Sequence, residues 1–344
     1  MNQDGDGGSS FSMKGVFGAL KKAVVERVKA KFHELTDEIR QSFKIPASEQ
    51  QYAEHVSTST VNVDPTSEEL NDVAKAASRL WDLDINRLTP GTDYEIDVGG
   101  GTKVYQKDDH AEAVLFRHLD QSVFRRPTYA RFYALLDNYH SDERVAENIT
   151  SQQQNEELAF IEEISRTAPI KYLHKYLEAK NIIRGDEEQF KTAMRSLWFD
   201  LYNRGGTRGS SSAFEHVFVG ELKRDRNTGE TEVSGMHNWI QVYVEEAKGN
   251  LDYQGFILPR RRGDPLPNAH SQLVTLQFKW NGVLKAVSST LIGVSPEFEM
   301  ALYTICFFCG AADNHVNLGP YYVNVKVYPL GNNCIGSAFP IAEE

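Results

Sequence analysis

At 344 residues and 40% hydrophobic, the chain can bury a sizeable core as one large domain or two smaller ones, which excludes disorder over most of its length. The formal net charge of -11 excludes a protein that coats nucleic acid indiscriminately, because phosphate contacts depend on lysine and arginine. Positive charge must then be concentrated locally, as between residues 258 and 290, where Arg260, Arg261, Arg262, Lys279 and Lys285 face Asp264 alone. A solvated basic loop fits Arg260 to Arg262 equally well.

Residues 1–12, rich in Gly, Ser and Asp, read as a disordered tail. A basic amphipathic helix is expected in 13–45: Phe17, Leu20, Val24 and Val28 recur at helical spacing, with six cations against Glu26 between Met13 and Phe32. Such a helix, residues 13–32, could lie on an anionic membrane, bind a partner or pack on the domain. Residues 46–66 are polar and read as a linker. Helical periodicity in Ser67 to Leu83, Ala111 to Leu136, Asn155 to Leu177 and Glu187 to Leu201 predicts a helix-rich lobe over 67–203.

From 204 to 344 the texture changes to short strands, H-V-F-V-G-E-L, L-V-T-L-Q-F-K-W and Y-V-N-V-K-V-Y, with turns at Asn227-Thr228-Gly229 and Asn281-Gly282. Two helices interrupt them. One begins near Trp239 and stops at Gly249; the other opens with Ser295-Pro296-Glu297 and runs through Phe307. The fold class expected is α+β, a helix-rich N-terminal lobe followed by an antiparallel-sheet lobe. Cys306, Cys309 and Cys334 are odd in number; C-F-F-C lacks a second ligand pair and lies in an apolar run, so it reads as core rather than zinc or redox chemistry. The N-terminus lacks the apolar segment of a signal peptide and nowhere do 18 apolar residues run uninterrupted. A soluble, intracellular, monomeric protein is expected.

Three segments carry groups suited to acid/base chemistry. Read as a strand, Phe214 to Leu222 alternates Phe214, His216 and Phe218 on one face with Glu215, Val217 and Val219 on the other. A histidine so placed is ordinarily a core residue. The preceding R-G-G-T-R-G-S-S-S could bring backbone N–H groups to a phosphate, or could simply be a flexible loop. His237 follows Gly235 and precedes a helix whose positive end disfavours imidazolium, making it a candidate base or a solvent-facing helix residue. Lys285 ends W-N-G-V-L-K, where Asn281-Gly282 turns the chain back. Two histidines and a lysine suffice for cleaving a phosphodiester without a serine or cysteine nucleophile.

F-E-H-V-F-V-G-E (Phe214 to Glu221), S-G-M-H-N-W-I (Ser234 to Ile240) and W-N-G-V-L-K (Trp280 to Lys285) resemble the EndoU family, the XendoU-type poly(U)-preferring endoribonucleases. The likeness continues through Ser288 to Phe307 and, less sharply, Leu80 to Tyr94, so it covers roughly Pro65 to the C-terminus. It implies an EndoU-type domain over 67–344 with the catalytic lobe at 204–344, and cleavage of uridine-rich single-stranded RNA by 2′-hydroxyl attack. Catalytic roles are implied for His216, His237 and Lys285, uracil recognition for Ser289 and Tyr328, and flanking acids at Glu215 and Glu221 that orient an imidazole or help hold a cation. Mn2+ or Ca2+ is implied as activator, with no ligand set legible. Local electrostatics further suggest that Glu215 favours imidazolium at His216, making it the acid and His237 the base. The loop between the histidines, K-R-D-R-N-T-G-E-T-E, is longer than the family pattern and is expected at a hairpin tip. The rival readings are a noncatalytic RNA- or lipid-binding module and a metal-dependent phosphodiesterase with Glu215, His216 and Glu221 as ligands.

Overall fold

The computed structural model describes residues 61–343 except 226, 260–264 and 332; the tail, the basic helix and the Arg260 to Arg262 patch lie outside the described residues. The first helices are α1 (Ser67–Asn71) and α2 (Val73–Leu83), opened by a reciprocal cap in which Thr66 and Glu69 each accept the other's backbone N–H. Of the stretch expected as a linker only 61–66 is described, and there Val63 is buried in the core and Asp64 pairs with Lys175.

Next come β1 (Tyr94–Ile96), β2 (Gly101–Thr102) and β3 (Phe116–Leu119), a 3-10 turn at Gln121–Arg125 and α3 (Pro127–Leu135). The helix expected over Ala111 to Leu136 is therefore only half present. Pro127 at the first helical position excludes Arg126 from helical backbone, so the helix starts there, and the residues before it pair as β3 with β1. The long periodicity of Asn155 to Leu177 likewise divides into α4 (Ser151–Ile164) and α5 (Ala168–Ala179), since Pro169 cannot donate to a continuing ladder. Helix α6 (Glu187–Phe199) closes this group.

Beyond it lie β4 (Tyr202–Arg204), β5 (Thr207–Ser211), β6 (Glu221–Arg224) and β7 (Thr231–Ser234), then α7 (Trp239–Lys248). Strands β8 (Leu251–Ile257), β9 (Leu273–Trp280) and β10 (Val283–Leu291), helix α8 (Pro296–Cys309), and β11 (Asp313–Leu318), β12 (Tyr321–Leu330) and β13 (Cys334–Ala342) complete the chain. Among the described residues three two-stranded antiparallel sheets, β1-β3, β4-β5 and β6-β7, accompany two larger ones, β10-β9-β8-β2 and β11-β12-β13. The pairing β2 to β8 is parallel and ties the N-terminal half to the C-terminal one, and one hydrophobic core runs through both. Asn281 (φ 50°) and Gly282 (φ 80°) form the two-residue turn between β9 and β10, both in the left-handed region that a primed hairpin turn demands.

Helix α8 is buried along most of its length, Cys306 included, and the three cysteines are unpaired. Burial pushes the Cys306 thiol up to about 12, whereas Cys309 is only partly buried. Among the described residues no helix is long and apolar enough to cross a membrane.

Candidate active site

The segment read as a strand from Phe214 is helical. Ser212 starts it, its hydroxyl accepting from Glu215 N (3.1 Å) and its carbonyl from His216 N (3.0 Å). The last five residues, Glu215–Val219, wind as a wider π turn closed by Gly220 N to Glu215 O at 2.8 Å. Phe214, Val217 and Phe218 are spaced i, i+3, i+4, so one helical face enters an aromatic cluster with Phe132, Trp198 and Phe199. Extended pairing begins only at Glu221, in β6. His216 therefore does not sit between two phenylalanines on a sheet face.

Its Nδ1 lies 2.6 Å from Glu221 Oε2, with Glu221 fully buried and Arg204 Nε 3.5 Å from the same oxygen. Burial lowers the His216 pKa, while Glu221 opposes the fall. Glu215 is not the partner that local sequence suggested. Its carboxyl oxygens are buried without a hydrogen bond, and burial, with Glu221 and Glu147 nearby, pushes it up to about 10. At neutral pH it is a neutral acid and offers His216 no charge.

The second histidine is laid directly against this turn. Met236 N donates to His216 O (3.2 Å) and His237 N to Val217 O (3.0 Å). Gly235 makes the approach possible: at φ 67° its backbone comes so close that a Cβ would lie 1.7 Å from His216 O. Met236 follows at φ 58°, a left-handed conformation that costs energy for a side chain with a Cβ. The β6–β7 hairpin carries the loop between the histidines at its tip, where Asp225 accepts from Asn227 N and Thr228 N, and leaves the histidine backbones paired.

His237 Nδ1 is 3.3 Å from both the Ser289 carbonyl and the Ser288 hydroxyl. Because Ser288 donates its own proton to Met236 O (2.9 Å), both neighbours present acceptors to the ring; Nδ1 then carries the hydrogen and Nε2 keeps its lone pair. Phe339 stacks on the ring with centroids 4.7 Å apart. Burial drives the His237 pKa well below its ordinary value, helped by the charges of Lys285 and His216. The helix N-terminus expected to do this is adjacent, with Asn238 as the cap of α7.

Lys285 faces Phe278 across the β9–β10 pair, just before the register slips between Lys285 and Ser288. Its ammonium donates to Val233 O of β7 at 3.1 Å, and burial pulls it down to about 8. Its charge depresses both histidines, so the three groups share one electrostatic neighbourhood. Ser289 is buried, with its hydroxyl 2.8 Å from Thr275 Oγ1. Tyr328 is 44% exposed, its ring 6.2 Å from Phe339, so Tyr328, Phe339 and His237 form an aromatic row.

Sequence reasoning missed Arg204, Ser288 and Phe339. Arg204 stood within the quoted glycine-rich loop, whereas Phe339 reaches His237 from β13, far along the chain, and left no local signal. As for a metal, no three His, Cys, Asp or Glu side chains are grouped to hold one among the described residues. Of the acids expected beside His216, the Glu221 oxygen nearest it is engaged by its ring, and Glu215 is buried.

Comparison with known proteins identifies the family. The family model described as Endoribonuclease XendoU matches residues 72–340. The uridylate-specific endoribonuclease C of Danio rerio is 39% identical over 288 residues, covering 80% of this chain and 90% of that protein. The poly(U)-specific endoribonuclease-B of Xenopus laevis is 38% identical over 280 residues, covering 78% and 93%. A solved structure of XendoU, described as a splicing-independent snoRNA-processing endoribonuclease, matches with a TM-score of 0.68 at 37% identity, over 81% of this chain and 99% of that one. The chain belongs to the XendoU family of endoribonucleases.

Proposed function

We propose that the protein acts as a monomer on uridine-rich single-stranded RNA, cutting it by attack of the 2′-hydroxyl and leaving 2′,3′-cyclic phosphate and 5′-hydroxyl ends. The observation that carries this reading is the contrast between two buried imidazoles in one site. His216 gives its Nδ1 to a carboxylate, which favours imidazolium; His237 gives its Nδ1 to neutral acceptors beside a lysine, which favours the free base. His237 Nε2 takes the 2′-hydroxyl proton as the 2′-oxygen bonds to phosphorus, and His216 Nε2 protonates the 5′-oxygen as its bond to phosphorus breaks. Lys285 stabilises the charge of the phosphorane between them.

Uridine preference is assigned to Tyr328 and Ser289. Stacking on an exposed tyrosine contributes about 1 to 3 kcal/mol per base and is indifferent to which base it is. Discrimination then falls to hydrogen bonds from Ser289 to the pyrimidine edge. Mn2+ or Ca2+ is proposed as an activator that the chemistry of two histidines and a lysine does not itself require. Replacing His216, His237 or Lys285 by alanine should each cost about two to four powers of ten in rate. Full activity in any one of them removes that residue from the mechanism.

Residues 13–32 are proposed to contact anionic membrane through their basic face. Removing Met1 to Phe32 should then abolish binding to anionic liposomes while leaving cleavage of a short oligonucleotide intact.

A further inference from the structure

We infer that Glu299 is a positioning residue for His237, acting through Asn238. The inference rests on His237 as the base, and its subject lies outside the three motifs. The ring of His237 is held weakly, by two 3.3 Å contacts and a stacked phenyl ring, so its aim depends on the backbone that carries it. That backbone continues into Asn238, whose Oδ1 caps α7 by accepting from Ile240 N (2.9 Å) and Gln241 N (3.1 Å). The other end of the same amide donates to Glu299 Oε2 at 2.5 Å.

Glu299 is fully buried in the first turn of α8 and takes the Tyr303 hydroxyl on its second oxygen at 3.1 Å, so both oxygens are engaged. One residue further on, Trp239 Nε1 donates to Val294 O at 2.8 Å. The start of α7 is thus pinned to the start of α8 at the two residues that follow the proposed base. A displacement of about an ångström at a reacting group can cost on the order of a hundredfold in rate. Glu299 touches no reacting atom; its effect is transmitted through one side-chain amide.

Two substitutions separate positioning from bulk stability. Glu299→Gln can keep both bonds, its amide oxygen toward Asn238 and its NH2 toward the Tyr303 oxygen; Glu299→Leu keeps neither. Asn238→Ser preserves a capping oxygen while losing the donor to Glu299. On a uridine dinucleotide, Glu299→Leu and Asn238→Ser should each lower kcat about ten- to a hundredfold with KM changed less than about threefold, and Glu299→Gln should restore kcat to within about threefold. The Asn238→Ser/Glu299→Leu double variant should be no slower than the worse single one. Wild-type kcat in Asn238→Ser, or additive losses in the double variant, overturns the inference. If Glu299→Leu does not fold, Asn238→Ser and Glu299→Gln decide the matter alone. Activity retained in His237→Ala would show the fault to lie in the assignment of the base; His237→Ala inactive with Asn238→Ser at wild-type kcat would show it to lie in the positioning.

Discussion

At His216 the Nδ1 proton goes to a carboxylate 2.6 Å away; at His237 it goes to a carbonyl and a hydroxyl, each at 3.3 Å. Both rings are buried and both are shifted down, but only His216 has a negative partner opposing the shift. The proposed division of labour rests on that contrast, and a leaving group that needs no protonation tests it. On a uridine 3′-(p-nitrophenyl phosphate), His216→Ala should recover most of the rate it loses on RNA, whereas His237→Ala should stay slow because the 2′-hydroxyl must still be activated. Rescue of His237→Ala instead would reverse the roles.

The π turn at Glu215–Val219 and the Gly235–Asn238 strap are one unit, joined by the hydrogen bonds from Met236 and His237 to the carbonyls of His216 and Val217. Gly235→Ala places a methyl group on the His216 carbonyl. Beyond about 1 to 3 kcal/mol of backbone strain, it should push the histidines apart and cost at least about tenfold in kcat, read together with the melting temperature. An active, fully stable Gly235→Ala protein would show that this contact does not set the spacing. The β9–β10 hairpin, α7 and α8 were legible because each announces itself locally, through Asn281-Gly282, the stop at Gly249, and Ser295-Pro296. The π turn was misread because Phe214 and Phe218, four apart, fit both a strand face and a helix face. What decides is Val217, buried at i+3, with Ser212 and Gly220 as its ends. Of the site, His216, His237 and Lys285 were legible as motifs. The choice of Glu221 over Glu215 was not, because it depends on where the turn stops.

Across the whole molecule several carboxyls are buried and shifted up, Asp84 and Glu163 to about 7, Glu299 to about 8 and Glu215 to about 10. A carboxyl whose folded pKa is raised contributes stability below its unfolded pKa that is lost as pH rises toward the folded one. Between pH 7 and 8 the folded chain keeps the proton on Glu215, and in part on Glu299, while the unfolded chain has released both. Stability should therefore fall across that interval by roughly 1.4 kcal/mol per pH unit for each proton so held. Above about 8 Lys285 acts in the opposite sense, since its depressed pKa leaves the unfolded chain holding the extra proton, and the decline should flatten. Thermal unfolding followed from pH 6.5 to 9 checks this, with Glu215→Gln expected to shrink the fall between 7 and 8. An unchanged profile in that variant contradicts a neutral Glu215.

Whether the substrate supplies the nucleophile, with two histidines moving its protons, can be tested with one pair of oligonucleotides. They share a sequence with a single uridine, and differ only in whether that uridine carries its 2′-hydroxyl. The ribose substrate should be cut after the uridine, leaving a 2′,3′-cyclic phosphate identifiable by mass, and the deoxyuridine substrate should bind and remain intact. Cleavage of the deoxyuridine substrate, or ribose products ending in a 3′-hydroxyl, would mean that the 2′-hydroxyl is not the nucleophile.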